Sequence, residues 1–217
     1  MQEGLYLQTV SVNLIEVLQK LMEIPELKDF RLVGGTALSL QLGHRISRDI
    51  DLFTDKSYGS VNFGKIDKVL RQKFSFVEPI SSGLPGPGIM YFVGETAEAM
   101  IKLDLFYTDP FVLPVVETDG FRMAQILEVA AMKLEVISRS GRKKDFWDMA
   151  ELLDHYTFTV LLDVFNKKYP YLDTNDLLKS LISFDDADDE ANPLCLRGRY
   201  WELIKADIQE LVNNYGD

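Results

Sequence analysis

The chain has 217 residues, 47% of them apolar, and a formal net charge of −11. This length supports a buried core in one domain or two small ones, and the negative charge excludes a whole-surface attraction to nucleic acid or anionic lipid. The single cysteine, Cys195, excludes a disulfide framework, and no apolar run reaches the roughly 20 residues of a membrane span. The sequence therefore predicts a cytoplasmic protein with no membrane partner.

The first half of the chain alternates helical and strand patterns. Apolar residues that recur at helical spacing predict amphipathic helices, and short apolar runs bounded by turn residues predict strands. In chain order the patterns predict a helix at 5–22, a strand at 30–33, a two-turn helix ending at Gly43, a strand at 49–54, a helix at 62–74, a loop at 81–88, paired strands at 89–93 and 100–108, and an edge strand near Pro114.

The pattern changes near Gly120. Helical spacing dominates from there on, and the sequence shows no strand pattern in this half. The predicted helices are 124–140, 143–156, 175–182 and 201–214, and the acidic run 185–190 is expected to be a solvated turn. The chain is therefore predicted to be an α+β protein, with a mixed sheet and flanking helices in residues 1–120 and a C-terminal helical bundle in residues 121–217.

Two aspartates, Asp49 and Asp51, lie within the predicted strand 49–54. Side chains alternate faces along a strand, so both carboxylates project from one face with their α-carbons about 7 Å apart, while Ile50 and Leu52 project into the core. Neighbouring carboxylates repel each other unless a cation lies between them. Mg²⁺ suits this pair because it binds one or two carboxylates and completes its octahedron with water and phosphate oxygens.

Asp104 is the predicted third carboxylate. It lies among the apolar residues of the predicted strand 100–108, where an aspartate is poorly suited unless it has a function. On a strand next to 49–54, it would complete a site for two metal ions that clamp the attacking and leaving oxygens of a phosphoryl displacement. Lys102 lies on the same strand face and leaves open the alternative that Asp104 is only its ion-pair partner.

A glycine pair, Gly34 and Gly35, stands where the first predicted strand gives way to a helix. Glycine lets the backbone approach a ligand closely, and the first N–H groups of a helix form an anion site. Thr36 is expected to cap this helix and to offer its hydroxyl to a phosphate. The predicted pocket therefore holds phosphate on one side and metal on the other.

Several other polar residues have two open interpretations. His44 lies with Arg45 and Arg48 in the elbow before the aspartates. It is expected to orient the strand or contact phosphate, with catalysis as the open alternative. Lys133 carries an ammonium that can bind phosphate as a point charge, or else it forms a surface pair with Glu135 or Asp145. The basic run 139–144 is either a solvated loop or a local patch that guides a nucleic-acid backbone.

The stretch GGTALSLQLGHRISRDIDLF at 34–53 resembles the AbiEii/AbiGii toxin family of the polymerase-β-like nucleotidyltransferase superfamily. The segment AAMKLEVISRSGRKKDFWDMAELL at 130–153 is similar to that family's helical-domain motif. The resemblance implies a nucleotidyltransferase-like fold and transfer of a nucleotide from an NTP to an acceptor, with two Mg²⁺ ions and release of pyrophosphate. It also implies a toxin of a toxin–antitoxin or phage-defence system, with RNA such as tRNA, or a protein, as acceptor and a cognate antitoxin as partner.

The resemblance also implies roles for individual residues. Thr36 departs mildly from the serine common in the superfamily but keeps the hydroxyl. The implied catalytic residues are Asp49, Asp51, Asp104, Lys133 and Asp145; the nucleotide-binding residues are Gly34, Gly35, Thr36, Arg48, Lys133 and Lys144; and the metal ligands are Asp49, Asp51 and Asp104, with Asp104 also the candidate base. Two alternatives stay open: an antibiotic-type small-molecule nucleotidyltransferase, and a non-catalytic interaction protein on the same fold.

Overall fold

A computed structural model of the chain describes residues 4–80 and 86–215, so residues 81–85 of the predicted loop 81–88 lie outside the described residues. Helices α1 to α9 are Val12–Met22, Gly34–Leu42, Phe63–Lys73, Ile126–Ser140, Lys143–His155, Phe158–Lys168, Thr174–Leu181, Asp185–Asp188 and Trp201–Tyr215. Strands β1 to β7 are Arg31–Leu32, Asp49–Thr54, Phe76–Ile80, Gly88–Gly94, Ile101–Tyr107, Val116–Thr118 and Phe121–Met123. Short 3₁₀ turns occupy Leu7–Thr9 and Pro25–Leu27.

The described strands form one mixed sheet in the order β3-β4-β5-β2-β1-β7-β6. Strand β2 runs parallel to β5 and antiparallel to β1. Strand β4 runs antiparallel to β5, which confirms that 89–93 and 100–108 are paired strands. The sheet belongs to a first compact unit, Met1–Leu42 with Ser47–Gln125, which we call the sheet unit. The mixed sheet with flanking helices confirms the predicted α+β class.

The two faces of the central strands differ in burial. On β2 the inward residues Ile50 and Leu52 are 0% and 1% exposed, as the alternating pattern predicted. The intervening positions of β2, and the matching positions of β5, are partly exposed. Helix α1 contacts β2, β5 and β7. The core of the sheet unit therefore lies on one face of these strands, and the acidic side chains lie on the other.

The second compact unit, Gly43–Ile46 with Ile126–Asp217, is helical, and we call it the helical unit. Its central helix α4 packs against α5, α6 and α7, while α5 packs against α9. The buried indoles of Trp147 and Trp201 stack with centroids 5.9 Å apart and planes 8° apart. Gly43–Ile46 joins this unit although it follows α2 in the chain, because Arg45 forms a β-bridge with Cys195.

Several predicted elements differ from the structure. The helix predicted at 5–22 is a 3₁₀ turn followed by α1, because the Ser11 side chain caps α1 by accepting the Leu14 N–H at 3.1 Å. The acidic run expected to be a solvated turn begins with the short helix α8. The expectation of no strand beyond Gly120 is wrong, because β7 pairs with β1 and β6. The compact units accordingly divide after Gln125, where the sequence predicted a boundary after Gly120.

Strand β3 and helix α6 were not predicted. Strand β3 contains Pro79, and it lies at the edge of the sheet, where a proline is tolerated. Helix α6 is rich in β-branched and aromatic residues, which weaken a helical signal. The predicted edge strand is confirmed as β6, although Pro114 precedes it. Among the described residues, no helix combines the length and apolar character that crossing a membrane requires.

Candidate active site

Asp49 and Asp51 lie on β2, next to Asp104 on β5. The register of these parallel strands pairs Asp51 with Asp104 and Asp49 with Lys102. Register partners on neighbouring strands lie about 4.8 Å apart and project from the same face. The predicted strand neighbourhood of Asp104 is confirmed, and the three carboxylates share one partly exposed face of the sheet.

The two oxygens of Asp104 have different surroundings. Lys102 Nζ donates to Oδ2 at 2.6 Å, which is the ion pair that the sequence left open. Oδ1 is buried and accepts no hydrogen bond from the part of the chain that the structure describes. A buried polar atom without a partner costs about 1–3 kcal/mol. The ion pair with Lys102 therefore leaves one carboxylate oxygen for a cation or a substrate.

Gly34 brings the start of α2 against the Asp51 carboxylate. Its φ is +67°, in the left-handed region, and a Cβ added to it would lie 2.3 Å from Asp51 Oδ2. Only glycine adopts this positive φ without strain and also leaves room for the Asp51 carboxylate. Because the first N–H groups of a helix have no intrahelical partner, the beginning of α2 at Gly34 and Gly35 presents an anion-binding end beside the carboxylate row.

A substitution at Gly34, compared with a control glycine, distinguishes the effect of the close approach between Gly34 and Asp51 from the effect of backbone strain. Gly34→Ala is expected to destabilise the protein by about 1–2 kcal/mol through its positive φ. It should in addition displace Asp51 and lower at least tenfold the nucleotide transfer that the family resemblance implies. Gly59→Ala is the matched control, because its φ is +81° and nothing lies within 4 Å of its added Cβ. Chemical denaturation and a transfer assay measure both effects. Equal transfer by the two variants would contradict a requirement for the Gly34–Asp51 contact.

The expectation that Thr36 caps its helix is wrong. Helix α2 already begins at Gly34, and its first intrahelical bond runs from the Ala37 N–H to the Val33 carbonyl. Thr36 is 1% exposed, and its hydroxyl donates to the Asp49 carbonyl and lies 2.8 Å from Ser47 Oγ. The hydroxyl therefore fixes the chain that enters β2, while Arg48 between Ser47 and Asp49 is exposed.

The carboxylate row fits Mg²⁺ in the presence of a phosphate substrate. Within residues 4–80 and 86–215, no group of three or more His, Cys, Asp or Glu side chains forms a preassembled metal cluster. Mg²⁺ needs only one or two carboxylates when substrate phosphate and water fill its other positions. The buried Oδ1 of Asp104 and the contact of Asp51 with the helix start are the observations that match such a ternary site.

A second group of charged side chains is buried within the helical unit. Asp148 on α5 accepts hydrogen bonds from His44 Nε2 at 2.7 Å and from Arg45 Nε and Nη2 at 2.6 and 2.8 Å. Lys133 on α4 lies 2.7 Å from Asp148 and 2.6 Å from Asp145. All five side chains belong to residues at most 6% exposed. We call them the Asp148 cluster.

The charges of the Asp148 cluster stabilise one another. Burial alone would raise the pKa of Asp148, but the cations of Arg45 and Lys133 outweigh burial and hold this pKa well below its usual range. Burial alone would lower the pKa of Lys133, but Asp145 and Asp148 raise it. Two cations thus face two anions in the protein interior. The sequence pointed to Lys133 and Asp145, and the structure adds Asp148 and Arg45 to this pair.

The basic run 139–144 is not uniformly solvated. Both interpretations of the run require solvent-exposed basic side chains, and this requirement is wrong for Lys143. Lys143 is 5% exposed, and its ammonium donates to the backbone carbonyls of Asp188 and Glu190. Arg142 Nε donates to Glu190 at 2.7 Å. Asp145 accepts the Arg142 N–H at 3.1 Å and is thus a first-turn acid of α5.

Comparison with solved structures defines the class of fold. JHP933 from Helicobacter pylori matches with a TM-score of 0.57 and 18% identity, covering 93% of this chain and 88% of that chain. MenT4, a nucleotidyltransferase toxin from Mycobacterium tuberculosis H37Rv, matches with a TM-score of 0.50 and 17% identity, covering 93% of this chain and 83% of that chain. The chain has a nucleotidyltransferase fold.

The family follows from the sequence. The profile of the family described as "Nucleotidyl transferase AbiEii toxin, Type IV TA system" matches residues 16–214. The chain therefore belongs to the AbiEii family of nucleotidyltransferase toxins and is a nucleotidyltransferase, which confirms the resemblance of segments 34–53 and 130–153. An uncharacterized protein of Aquifex aeolicus (strain VF5) is 29% identical over 210 residues, which cover 92% of this chain and 94% of that protein.

Proposed function

We propose that this protein is an Mg²⁺-dependent toxin that moves a nucleotide from an NTP to an RNA acceptor, such as a tRNA. The alignment of Asp51 with Asp104 beside the start of α2 at Gly34 is the observation that supports this reaction most directly. A protein acceptor is the alternative that the family resemblance leaves open. The family description names a toxin–antitoxin system, and we include a cognate antitoxin in the proposal.

In the proposed reaction each part of the sheet unit has one task. Asp49, Asp51 and Asp104 would hold Mg²⁺, which would supply positive charge that stabilises the reacting phosphate. The first-turn N–H groups of α2 at Gly34 and Gly35 receive triphosphate oxygens. As the acceptor hydroxyl oxygen bonds to the α-phosphorus and the bond to pyrophosphate breaks, the hydroxyl proton passes to Asp104.

The other predicted residues have supporting tasks in the proposal. Thr36 contributes through its backbone N–H and through its hold on Asp49, because its hydroxyl already donates to the Asp49 carbonyl. The exposed Arg48 supplies a cation for the phosphates. Lys133, Lys144 and Asp145 are kept in the proposal only as residues whose roles the family resemblance implies.

Lys133→Met tests whether this lysine serves transfer or only stability. Removing one partner of a buried ion pair costs about 3–5 kcal/mol, and removing a cation that also stabilises the leaving pyrophosphate would lower the rate about a hundred- to thousand-fold. Lys168→Met is the matched control, because Lys168 lies 2.9 Å from Glu128 in a pair that is 0% exposed on both sides. We expect both variants to lose stability and only Lys133→Met to lose turnover at saturating NTP. Wild-type turnover in folded Lys133→Met would assign Lys133 to structure alone.

The reaction itself is tested by incubating the purified protein with each α-³²P-labelled NTP, Mg²⁺ and either total cellular RNA or total cellular protein. We expect label in the RNA fraction and its loss when EDTA is added. Label only in protein would replace RNA by a protein acceptor. Label in neither fraction, from a folded protein that binds NTP, would favour the small-molecule alternative and overturn the proposal.

A further inference from the structure

The sheet face that carries the carboxylates is organised in rows across β2, β5 and β4. Asp51 and Asp104 form one row. The next row consists of Phe53, its register partner Phe106, and Gly88, which pairs with Phe106. Both rows are partly exposed, whereas the positions between them on β2 are buried. An aromatic row therefore lies directly beside the proposed reaction centre.

The two rings of this row lie close together. The centroids of Phe53 and Phe106 are 5.7 Å apart, and the ring planes are inclined by 51°. A Cβ added to Gly88 would lie 2.8 Å from Phe106 Cγ and 2.0 Å from the Leu105 carbonyl oxygen. The missing side chain at Gly88 thus makes room for the Phe106 ring on this face of the sheet.

The row spacing matches the construction of a nucleotide. Alternate residues of a strand are about 7 Å apart, and in a nucleotide the ribose separates the phosphate from the base. A nucleotide whose phosphate lies at the Asp51–Asp104 row can therefore place its base at the Phe53–Phe106 row. Aromatic side chains bind bases by stacking, and they tolerate any base because every base has a π-face.

We propose that Phe53 and Phe106 form a stacking platform for a nucleobase. The platform rests on the proposed function, since it presumes that the reacting phosphate lies at the carboxylate row. The base belongs either to the NTP or to the terminal nucleotide of the acceptor. A purely structural aromatic pair would pack across the strands, and it would stabilise the sheet without distinguishing a nucleotide from the same molecule lacking its base.

The test for the NTP compares binding of ATP, CTP, GTP and UTP with binding of ribose 5′-triphosphate, using calorimetry on the full chain with Mg²⁺ and no acceptor. We expect the wild-type protein to bind at least one NTP about 5- to 150-fold more tightly than the base-free compound. Phe53→Leu and Phe106→Leu should each reduce this ratio at least threefold and leave ribose 5′-triphosphate binding unchanged. Phe53→Trp should restore the ratio.

The test for the acceptor repeats the comparison with a ten-nucleotide RNA that carries or lacks its 3′-terminal base. Phe92→Leu is the control in both tests, because Phe92 is partly exposed and pairs with Lys102 rather than with the aromatic row. If the Phe53 and Phe106 variants lower the base-dependent affinity ratio in only one of the two tests, that test identifies whether the stacked base belongs to the NTP or to the acceptor. Unchanged ratios in both tests, or equal loss in Phe92→Leu, would overturn the platform. Wild-type protein that binds no triphosphate and transfers no label would instead overturn the proposed function.

Discussion

Asp51→Asn lowers NTP-dependent labelling more than about 100-fold and leaves the protein folded: this is the expected result with the largest effect on activity. Loss of an outer-shell partner of a metal ligand already lowers metal affinity or activity 10–100-fold. Asp51 is proposed as a direct ligand, so its loss should have a larger effect. The amide keeps the shape of the carboxylate but carries no charge, so Mg²⁺ is bound poorly. The free energy of unfolding should stay equal or rise slightly, because Asp49 and Asp51 no longer repel each other.

Asp119→Asn is the matched control for this experiment. It removes the same charge from the β6–β7 turn, where Asp119 has a φ of 53°, and asparagine tolerates the left-handed region. Label incorporation and denaturant unfolding should be measured on both variants at several Mg²⁺ concentrations. Near-normal transfer by folded Asp51→Asn would remove the metal-dependent mechanism, since no other residue proposed here replaces that ligand.

Asp148→Ala is expected to have the largest effect on stability. It leaves Arg45 and Lys133 buried without the carboxylate that both contact. Loss of one partner from a buried ionic group costs about 3–5 kcal/mol, which for a chain of this size lowers Tm by about 6–20 °C. The matched control is Asp176→Ala, because the Asp176–Lys179 pair is 71% and 76% exposed and should matter little. Equal melting temperatures for the two variants would contradict a stabilising role of the Asp148 cluster.

The pH dependence of this stabilisation has a definite sign. The pKa of Asp148 lies well below its ordinary value of 3.8, so its contribution is complete above pH 3.8 and is lost as pH falls through the lowered pKa. The pKa of Lys133 is raised from 10.5, so its contribution is complete below that pH. The difference in free energy of unfolding between wild type and Asp148→Asn should be constant from pH 5 to 9 and should shrink below pH 3.8. A difference that changes between pH 5 and 9 would contradict this assignment to Asp148.

The sequence was sufficient to predict which face of β2 carries the carboxylates, because this prediction depends only on residues that are adjacent in the chain. Alternation along β2 places Asp49 and Asp51 on one face and Ile50 and Leu52 on the other, whatever the neighbouring strand is. The strand-to-helix change at Gly34 is equally local, since glycine permits the turn that other residues resist. The α+β class followed from the same periodicities and from the change of pattern near Gly120.

The tertiary structure decided what depends on partners distant in the chain. Strand β7 has three residues and becomes a strand only by pairing with β1 and β6. The register that sets Asp51 against Asp104 and Phe53 against Phe106 is a property of two strands about 50 residues apart. His44 and Asp148 are separated by 104 residues, and no periodicity links them. The charge of Asp148 likewise depends on the tertiary structure, because a buried carboxylate is stable only where other chain segments bring cations to it.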